Sequence, residues 1–492
     1  MRIKIIRIVI IGLFLLIALD LMYVQVIRGK YFYNLSKNNR IRIVPLEGWR
    51  GKIEDRNGTI LADSRISYNV MVSPQDVRDR PALFRFLSQV LGLNSKEIEK
   101  RYSRKKLAPF APVVLAQDIG RNKAIILEEN KYQYPSLIIQ EGFKRAYLLE
   151  KNSSHVLGYV GKMNEARREK FREYGYSARS IVGYSGVEEY YDADLKGGEG
   201  GLQIEVNSRG QQVRLLSLKE PTKGKDISLS IDSRLQQISV ELLEGIRGAI
   251  VVMDLANGEI LGMTSSPAYD PNSFVDAKKN KNLKRLFSSS SAPLLNRAIK
   301  GLFPPGSVFK IPVAAGALDS RKITPHTTYM CPGFYNSGGR KFRCVHVHGA
   351  QDMFKSLARS CNIYYYHLGL ALGADMIYDY AKLFGFGQPT YIDLPFEESG
   401  YIPNKRKRFQ ESRKRWYAGD TLNLSIGQGD VLVTPLQLVR MMAIVANLGI
   451  DVQPHVIQSI GGVPVMQYQA QRSIAFDKKA LEDVKKGLRQ TV

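Results

Sequence analysis

The chain has 492 residues, more than one hydrophobic core usually serves, so two or three domains are expected. With 44% apolar and 24% charged residues it falls outside the disordered and collagen-like classes. Its 71 basic against 46 acidic residues leave a net charge of +25, which suits an anionic lipid surface or an acidic polymer. The basic residues are spread along the chain, and no zinc-finger or helix-turn-helix spacing occurs, so nucleic acid is not an expected partner.

Residues 8–26 form an almost unbroken apolar run of membrane-spanning length, preceded by Arg2, Lys4 and Arg7. No small-x-small cleavage pattern follows, so the run reads as an uncleaved signal anchor. Arg28, Lys30, Lys37 and Arg40 lie beyond it. The short tail is expected to stay inside, with everything after about residue 30 outside the cytoplasm. Asp20 is out of place in hydrocarbon, and reads either as lying near the outer interface or as facing a partner membrane helix.

Residues 50–62 read as strand, Asn-Gly turn and strand. From there to about residue 225 short strands alternate with charged helices, and no catalytic constellation occurs. The glycine cluster at 197–201 does not join a buried strand to a helix, which argues against a phosphate loop. A boundary is expected at 221–225, where Pro, Gly and Lys cluster. Beyond it a strand is predicted over 227–231, a helix over 233–246, and a hairpin of 249–253 with 259–263 around Asn257-Gly258. Residues 321–350 read as loop, 353–372 as one helix, and 435–447 as an apolar helix with Pro435 in its first turn. The basic runs at 405–408 and 413–415 read first as a solvated loop.

Two short motifs can carry chemistry. In Pro304-Pro305-Gly306-Ser307-Val308-Phe309-Lys310 the prolines and glycine set a tight entry to an apolar helix, and Ser307 and Lys310 share a face three residues apart. A serine there can attack a carbonyl while an amine takes its proton, and a helix N-terminus favours the negative charge that develops. The second motif is Ser360-Cys361-Asn362, where a hydroxyl can relay a proton and an amide can hold a substrate amide. Alone, each is weak.

In this order the two motifs resemble those of the penicilloyl-serine transferases, and among them the class B penicillin-binding proteins. Arg50-Gly51-x-Ile53-x-Asp55-Arg56-Asn57-Gly58 and Gly183-x-Ser185-Gly186-x-Glu188 look like that class's pedestal. Residues 248–254 look like the first strand of its transpeptidase domain, and Ser265-x-Pro267-x-Tyr269-Asp270-Pro271-Asn272 like the segment after the second. Leu424-Ser425-Ile426-Gly427-Gln428-Gly429, followed by Thr434-Pro435-Leu436-Gln437, resembles the elongation-type branch, penicillin-binding protein 2. The resemblance implies an α+β chain with a membrane anchor over 1–30. It also implies an elongated mixed pedestal over 31–225 and, over 226–492, a transpeptidase domain whose antiparallel sheet has helices on both faces.

It further implies D,D-transpeptidation of peptidoglycan stem peptides and acylation by β-lactams, with no cofactor required for the chemistry. Ser307 is the implied nucleophile, Lys310 the base, Ser360 the proton relay and Asn362 the substrate clamp. A SEDS-type glycosyltransferase and other elongation-complex membrane proteins are the implied partners. The family's third motif, Lys-Thr/Ser-Gly, is expected on a strand after the helix at 481–488. No such triplet occurs in these 492 residues, so the expected domain lacks that strand and half of its oxyanion hole. Readings as a non-catalytic scaffold or a β-lactam sensor stay open as alternatives; a β-lactamase would need neither anchor nor pedestal.

The three cysteines, Cys331, Cys344 and Cys361, all fall near these motifs. A Cys331–Cys344 disulfide with a spare thiol is one reading. The other joins them to His348, with His346 as an alternate, in a Cys3His structural zinc site.

Overall fold

A computed structural model describes residues 2–33, 41–46, 48–105, 112–170, 176, 180–207, 212–276, 283–468 and 470–491. Lys37 and Arg40 lie outside the described residues, as do the side chains of Arg2 and Lys4. The chain divides into two compact units, neither of them one continuous segment. One holds Met1–Arg50, Ser64–Lys144 and Gly197–Gly224; the other holds Gly51–Asp63, Arg145–Lys196 and Lys225–Val492. Both mix helices with strands, as an α+β chain should.

In the first unit the apolar run becomes the helix Arg2–Met22, continued by a π-helical turn over Tyr23–Ile27. The stretch Ile5–Ile27 is long and apolar enough to cross a membrane, and none of it is buried in the protein. Strands Ile41–Leu46, Gly200–Val206 and Gln212–Lys219 form an antiparallel sheet in that order. A separate core forms where Asp79 caps the helix Arg80–Leu91 by accepting from the Ala82 N–H. That helix turns Leu83, Phe84 and Leu87 onto Val70, Val72, Val113 and Leu115 of two paired strands. Their spacing is that of one helix face.

In the second unit the predicted hairpin forms, with Ile53 opposite Ala62. Asp55 Oδ1 tightens its turn by accepting from the Asn57 and Thr59 N–H groups, both at 2.8 Å. Strand Ile227–Leu229 pairs antiparallel with Ile457–Ile460 and parallel with Ile53–Glu54, a long-range pairing that alternation along the sequence cannot announce. The hairpin of Gly248–Met253 with Ile260–Ser266 forms as read, and the helix Ser233–Leu242 packs on its second strand.

One buried ion pair fixes the pedestal-like motifs within this unit. Arg145 Nε donates to Glu188 Oε1 at 2.6 Å and its Nη1 to the Gly51 carbonyl at 2.6 Å, with both side chains at most 1% exposed. Removing one partner strands the other charge in the interior, which costs about 3–5 kcal/mol. Glu188→Ala is therefore expected to lower the thermal midpoint by several degrees in a scanning melt. An unchanged midpoint would show that water reaches Arg145.

The main core surrounds the helix Lys310–Asp319, in which every residue from Lys310 to Leu318 is buried. Pro312 lies in the first turn of this helix, the part of a helix where proline is tolerated. The sequence reading differs from the fold in three places. The basic run read as loop over 405–408 belongs to the helix Lys405–Ser412, capped by Asn404, which accepts from the Lys407 N–H. The single helix read over 353–372 is two helices, Met353–Ala358 and Asn362–Leu383, separated at Ser360 and Cys361. The stretch read as loop over 321–350 carries two short hairpins, Tyr329–Cys331 with Gly349–Gln351 and Phe334–Ser337 with Arg340–Arg343. Their strands have three or four residues, too few for a period to show.

Candidate active site

Ser307 stands in a single 3-10 turn, Gly306–Phe309, that leads into the Lys310 helix. Three residues per turn stack positions i and i+3, so Ser307 and Lys310 fall one above the other. Ser307 is exposed while Lys310 is 1% exposed, which leaves the hydroxyl open to a substrate and the amine shielded from water. Gly306 takes a φ of 57°, and Gly427 closes over it: a Cβ at 427 would lie 2.3 Å from the Gly306 carbonyl oxygen. Only glycine fits there, so the Gly-Gln-Gly stretch supports the serine turn from beneath.

Ser360 has the left-handed φ of 52°, uncommon for a residue with a side chain. This kink breaks the helix and turns both oxygens of Ser360 toward one point. Lys310 Nζ donates to the Ser360 carbonyl at 2.8 Å, to Ser360 Oγ at 3.0 Å and to Asn362 Oδ1 at 2.7 Å. It lies 3.3 Å from Ser307 Oγ, and Ser360 Oγ donates to Ser307 Oγ at 2.9 Å. The structure thus brings Ser307, Lys310, Ser360 and Asn362 into one connected cluster. The other end of the Asn362 amide donates to the Arg343 carbonyl at 3.2 Å, which ties the cluster to the 334–343 hairpin.

Burial pushes the Lys310 amine down to about 8, against a weaker opposing pull from the nearby Cys344 and Cys361 thiols. A buried lysine near neutrality keeps a usable share of free amine. Ser307 Oγ, Lys310 Nζ and Ser360 Oγ lie within hydrogen-bond reach of one another, an arrangement that can supply a nucleophile, a base and a proton relay.

The metal-ligand candidates also meet. The ligand atoms of Cys331, Cys344, His348 and Cys361 all lie within 4.8 Å of one another, and the three cysteines are unbridged. His348 Nδ1 is 3.6 Å from Cys331 Sγ and 3.5 Å from Cys344 Sγ. Ordinary Zn–S and Zn–N bond lengths in a tetrahedron place sulfur and nitrogen about 3.6 Å apart, so the two distances from His348 match that geometry. His346, the alternate, meets Cys331 through its carbonyl oxygen instead.

Burial alone raises the Cys344 thiol, but backbone N–H groups of Ile363, Asn362 and His346 aimed at its sulfur outweigh that and hold it below the usual range. One of these bonds, from the Asn362 N–H at 3.2 Å, joins the cysteine cluster to the active-site cluster. The position of Cys361 inside the Ser-x-Asn motif pointed to a tie between the two clusters, but this bond and the support from Arg343 and Gly427 depend on tertiary approach.

Comparisons with known proteins identify the family. The family profile described as the penicillin-binding protein transpeptidase domain matches residues 248–492, and that of the penicillin-binding protein dimerisation domain matches residues 45–229. The peptidoglycan D,D-transpeptidase MrdA of Haemophilus influenzae is 34% identical over 456 residues, covering 90% of this chain and 70% of that protein. Penicillin-binding protein PBP2 of Helicobacter pylori, solved in complex with MreC, superposes with a TM-score of 0.80 at 29% identity, over 92% of this chain and 84% of that one. A chain of a peptidoglycan synthase complex, solved in a study of coordinated polymerization and crosslinking, superposes with a TM-score of 0.72 at 30% identity, over 100% and 84% of the two chains. The chain belongs to the penicillin-binding proteins, in the branch of the MrdA-type peptidoglycan D,D-transpeptidases.

Proposed function

We propose that this protein is a peptidoglycan D,D-transpeptidase of cell-wall elongation, acting through an acyl-enzyme on Ser307 and acylated there by β-lactams. The observation that carries the reading is the contact set of Lys310 with Ser307, Ser360 and Asn362. Ser307 Oγ attacks the carbonyl of the penultimate D-alanine of a stem peptide while its proton passes to the free amine of Lys310. The Ser307 N–H donates to the oxyanion, a contribution worth about 3 kcal/mol per donor. As the intermediate collapses, the proton returns through Ser360 Oγ to the departing D-alanine amine. An amine from a neighbouring strand then takes the acyl group, giving up its proton along the same path. Asn362, held at both ends, presents a fixed amide edge to the substrate backbone.

The free amine of Lys310 increases with pH up to its value of about 8. The second-order rate of acylation by penicillin is therefore expected to rise almost tenfold between pH 6 and 7 and to level off above pH 8. A rate flat from pH 6 to 8 would remove Lys310 from the role of base.

In this reading residues 31–225 form the pedestal and 226–492 the transpeptidase, anchored by the apolar helix with both on the outer side of the cell membrane. A SEDS-type glycosyltransferase and MreC-like proteins are the partners it points to. Cys331, Cys344, His348 and Cys361 are the residues to hold a structural zinc ion. Four protein ligands leave a closed site, so the ion supplies rigidity and no chemistry. The test of the whole reading is release of D-alanine and formation of crosslinks from synthetic stem-peptide substrates.

A further inference from the structure

A cationic patch lies one short helix away from the active-site cluster along the chain and takes no part in the chemistry above. Residues 405–415 contain seven Lys or Arg and one acidic residue, Glu411, which is turned to the Tyr401 hydroxyl at 2.6 Å. Some of the cations are already engaged: Lys405 with Asp375, Lys407 over the Tyr401 ring, and Arg408 with Asp420. Arg406, Lys414 and Arg415 are exposed and have no carboxylate partner among the described residues. Exposed rings of Phe409 and Tyr417, at 50% and 67%, stand among them.

Two contacts connect this patch to the Ser307 cluster. The helix Ala418–Ser425 starts where the patch ends, is about 12 Å long, and delivers Gly427 against Gly306. At its start a Cβ on Gly419 would lie 3.1 Å from the Phe342 ring, on the hairpin whose Arg343 carbonyl holds Asn362. That hairpin adds exposed Arg340, Lys341 and Arg343. The surface on both sides of the Phe342–Gly419 contact therefore presents uncompensated positive charge interleaved with aromatic rings.

We propose that this surface docks a second peptidoglycan strand, the acyl acceptor, through the carboxylates of its stem peptides. This rests on the reading of the protein as a wall-peptide transpeptidase, a reaction that must bring a second polymer to the acyl-enzyme. Charge complementarity and continuity with the Ser307 cluster favour this occupant: each stem peptide ends in a carboxylate, and the bare glycan offers sugar faces to the rings but little charge. The unpaired cations raise the local concentration of such strands, and salt weakens the effect.

The experiment measures binding of soluble, uncross-linked peptidoglycan strands to the full-length protein in detergent. Its comparison is the combined variant Arg406→Glu, Lys414→Glu, Arg415→Glu, with a Gln version of the same three as a milder second variant. The native protein is expected to bind the strands, and to lose about tenfold in affinity between low and physiological salt. The Glu variant is expected to lose at least about tenfold at low salt, and the Gln variant less. Strands stripped of their stem peptides should bind no better than the Glu variant binds intact ones. Equal binding by native protein and Glu variant overturns the proposal, and so does absence of binding by the native protein. Undiminished binding of stripped strands, or preferential binding of vesicles containing anionic lipid, also overturns it. If the native protein binds strands yet is never acylated by penicillin, the catalytic reading fails and the docking surface stands.

Discussion

Ser307→Ala is expected to abolish covalent labelling by penicillin, and Lys310→Ala to slow it by about a thousandfold, the usual scale for losing a positioned general base. The two losses have different causes. Without Ser307 there is no oxygen to acylate, since Ser360 Oγ, the other hydroxyl of the cluster, stands on a kinked backbone and hydrogen-bonds to Ser307. Without Lys310 the nucleophile remains, but three contacts that hold Ser360 and Asn362 in place disappear along with the base. Mass spectrometry of a penicillin digest should find the adduct on the peptide containing Ser307. An adduct on another serine would move the nucleophile, and full-rate labelling of Lys310→Ala would leave the lysine a merely structural role. Lys310→Arg should not rescue the rate, because a guanidinium stays protonated where burial frees an amine.

Much of this site was legible before the fold because its parts lie in short segments with strong local rules. Pro305, Gly306 and the apolar run after Lys310 specify a turn and a buried helix whatever surrounds them, and three-residue spacing then sets Ser307 beside Lys310. Ser360 and Asn362 could be named from their order after that motif, but not their geometry. Helical periodicity runs across 353–372, and the break depends on a left-handed serine that sequence pattern disfavours. Strain of this kind at a site is what local rules are expected to miss. The parallel pairing of Ile227–Leu229 with Ile53–Glu54 was equally hidden, since its partners are more than 170 residues apart and two-residue strands carry no period. The cysteines lie between these cases: their residue types suggested a common site, and only the folded 331–361 region shows four ligand atoms converging.

Those ligands give the second large effect. Purified without chelator, the protein is expected to hold close to one equivalent of zinc, and Cys361→Ser to hold less than about a fifth of that. Cys361 is fully buried at the N-cap position of the Asn362 helix, while Cys344 accepts the Asn362 N–H. Loss of the ion lets the thiols take up protons and removes the bonds that tie the four side chains together, which loosens the segment that sets Ser360 and Asn362. Penicillin labelling should therefore fall by about tenfold or more in the variant, the usual scale when support behind a site is lost, although no ligand touches the substrate. Adding zinc back to chelated native protein should restore both metal content and labelling; the variant should recover neither. A native protein with less than a tenth of an equivalent of zinc and an intact Cys331–Cys344 bridge in a non-reduced peptide map would replace the metal by the disulfide. Full labelling of metal-free, reduced protein would show that the hairpins hold Asn362 by packing alone.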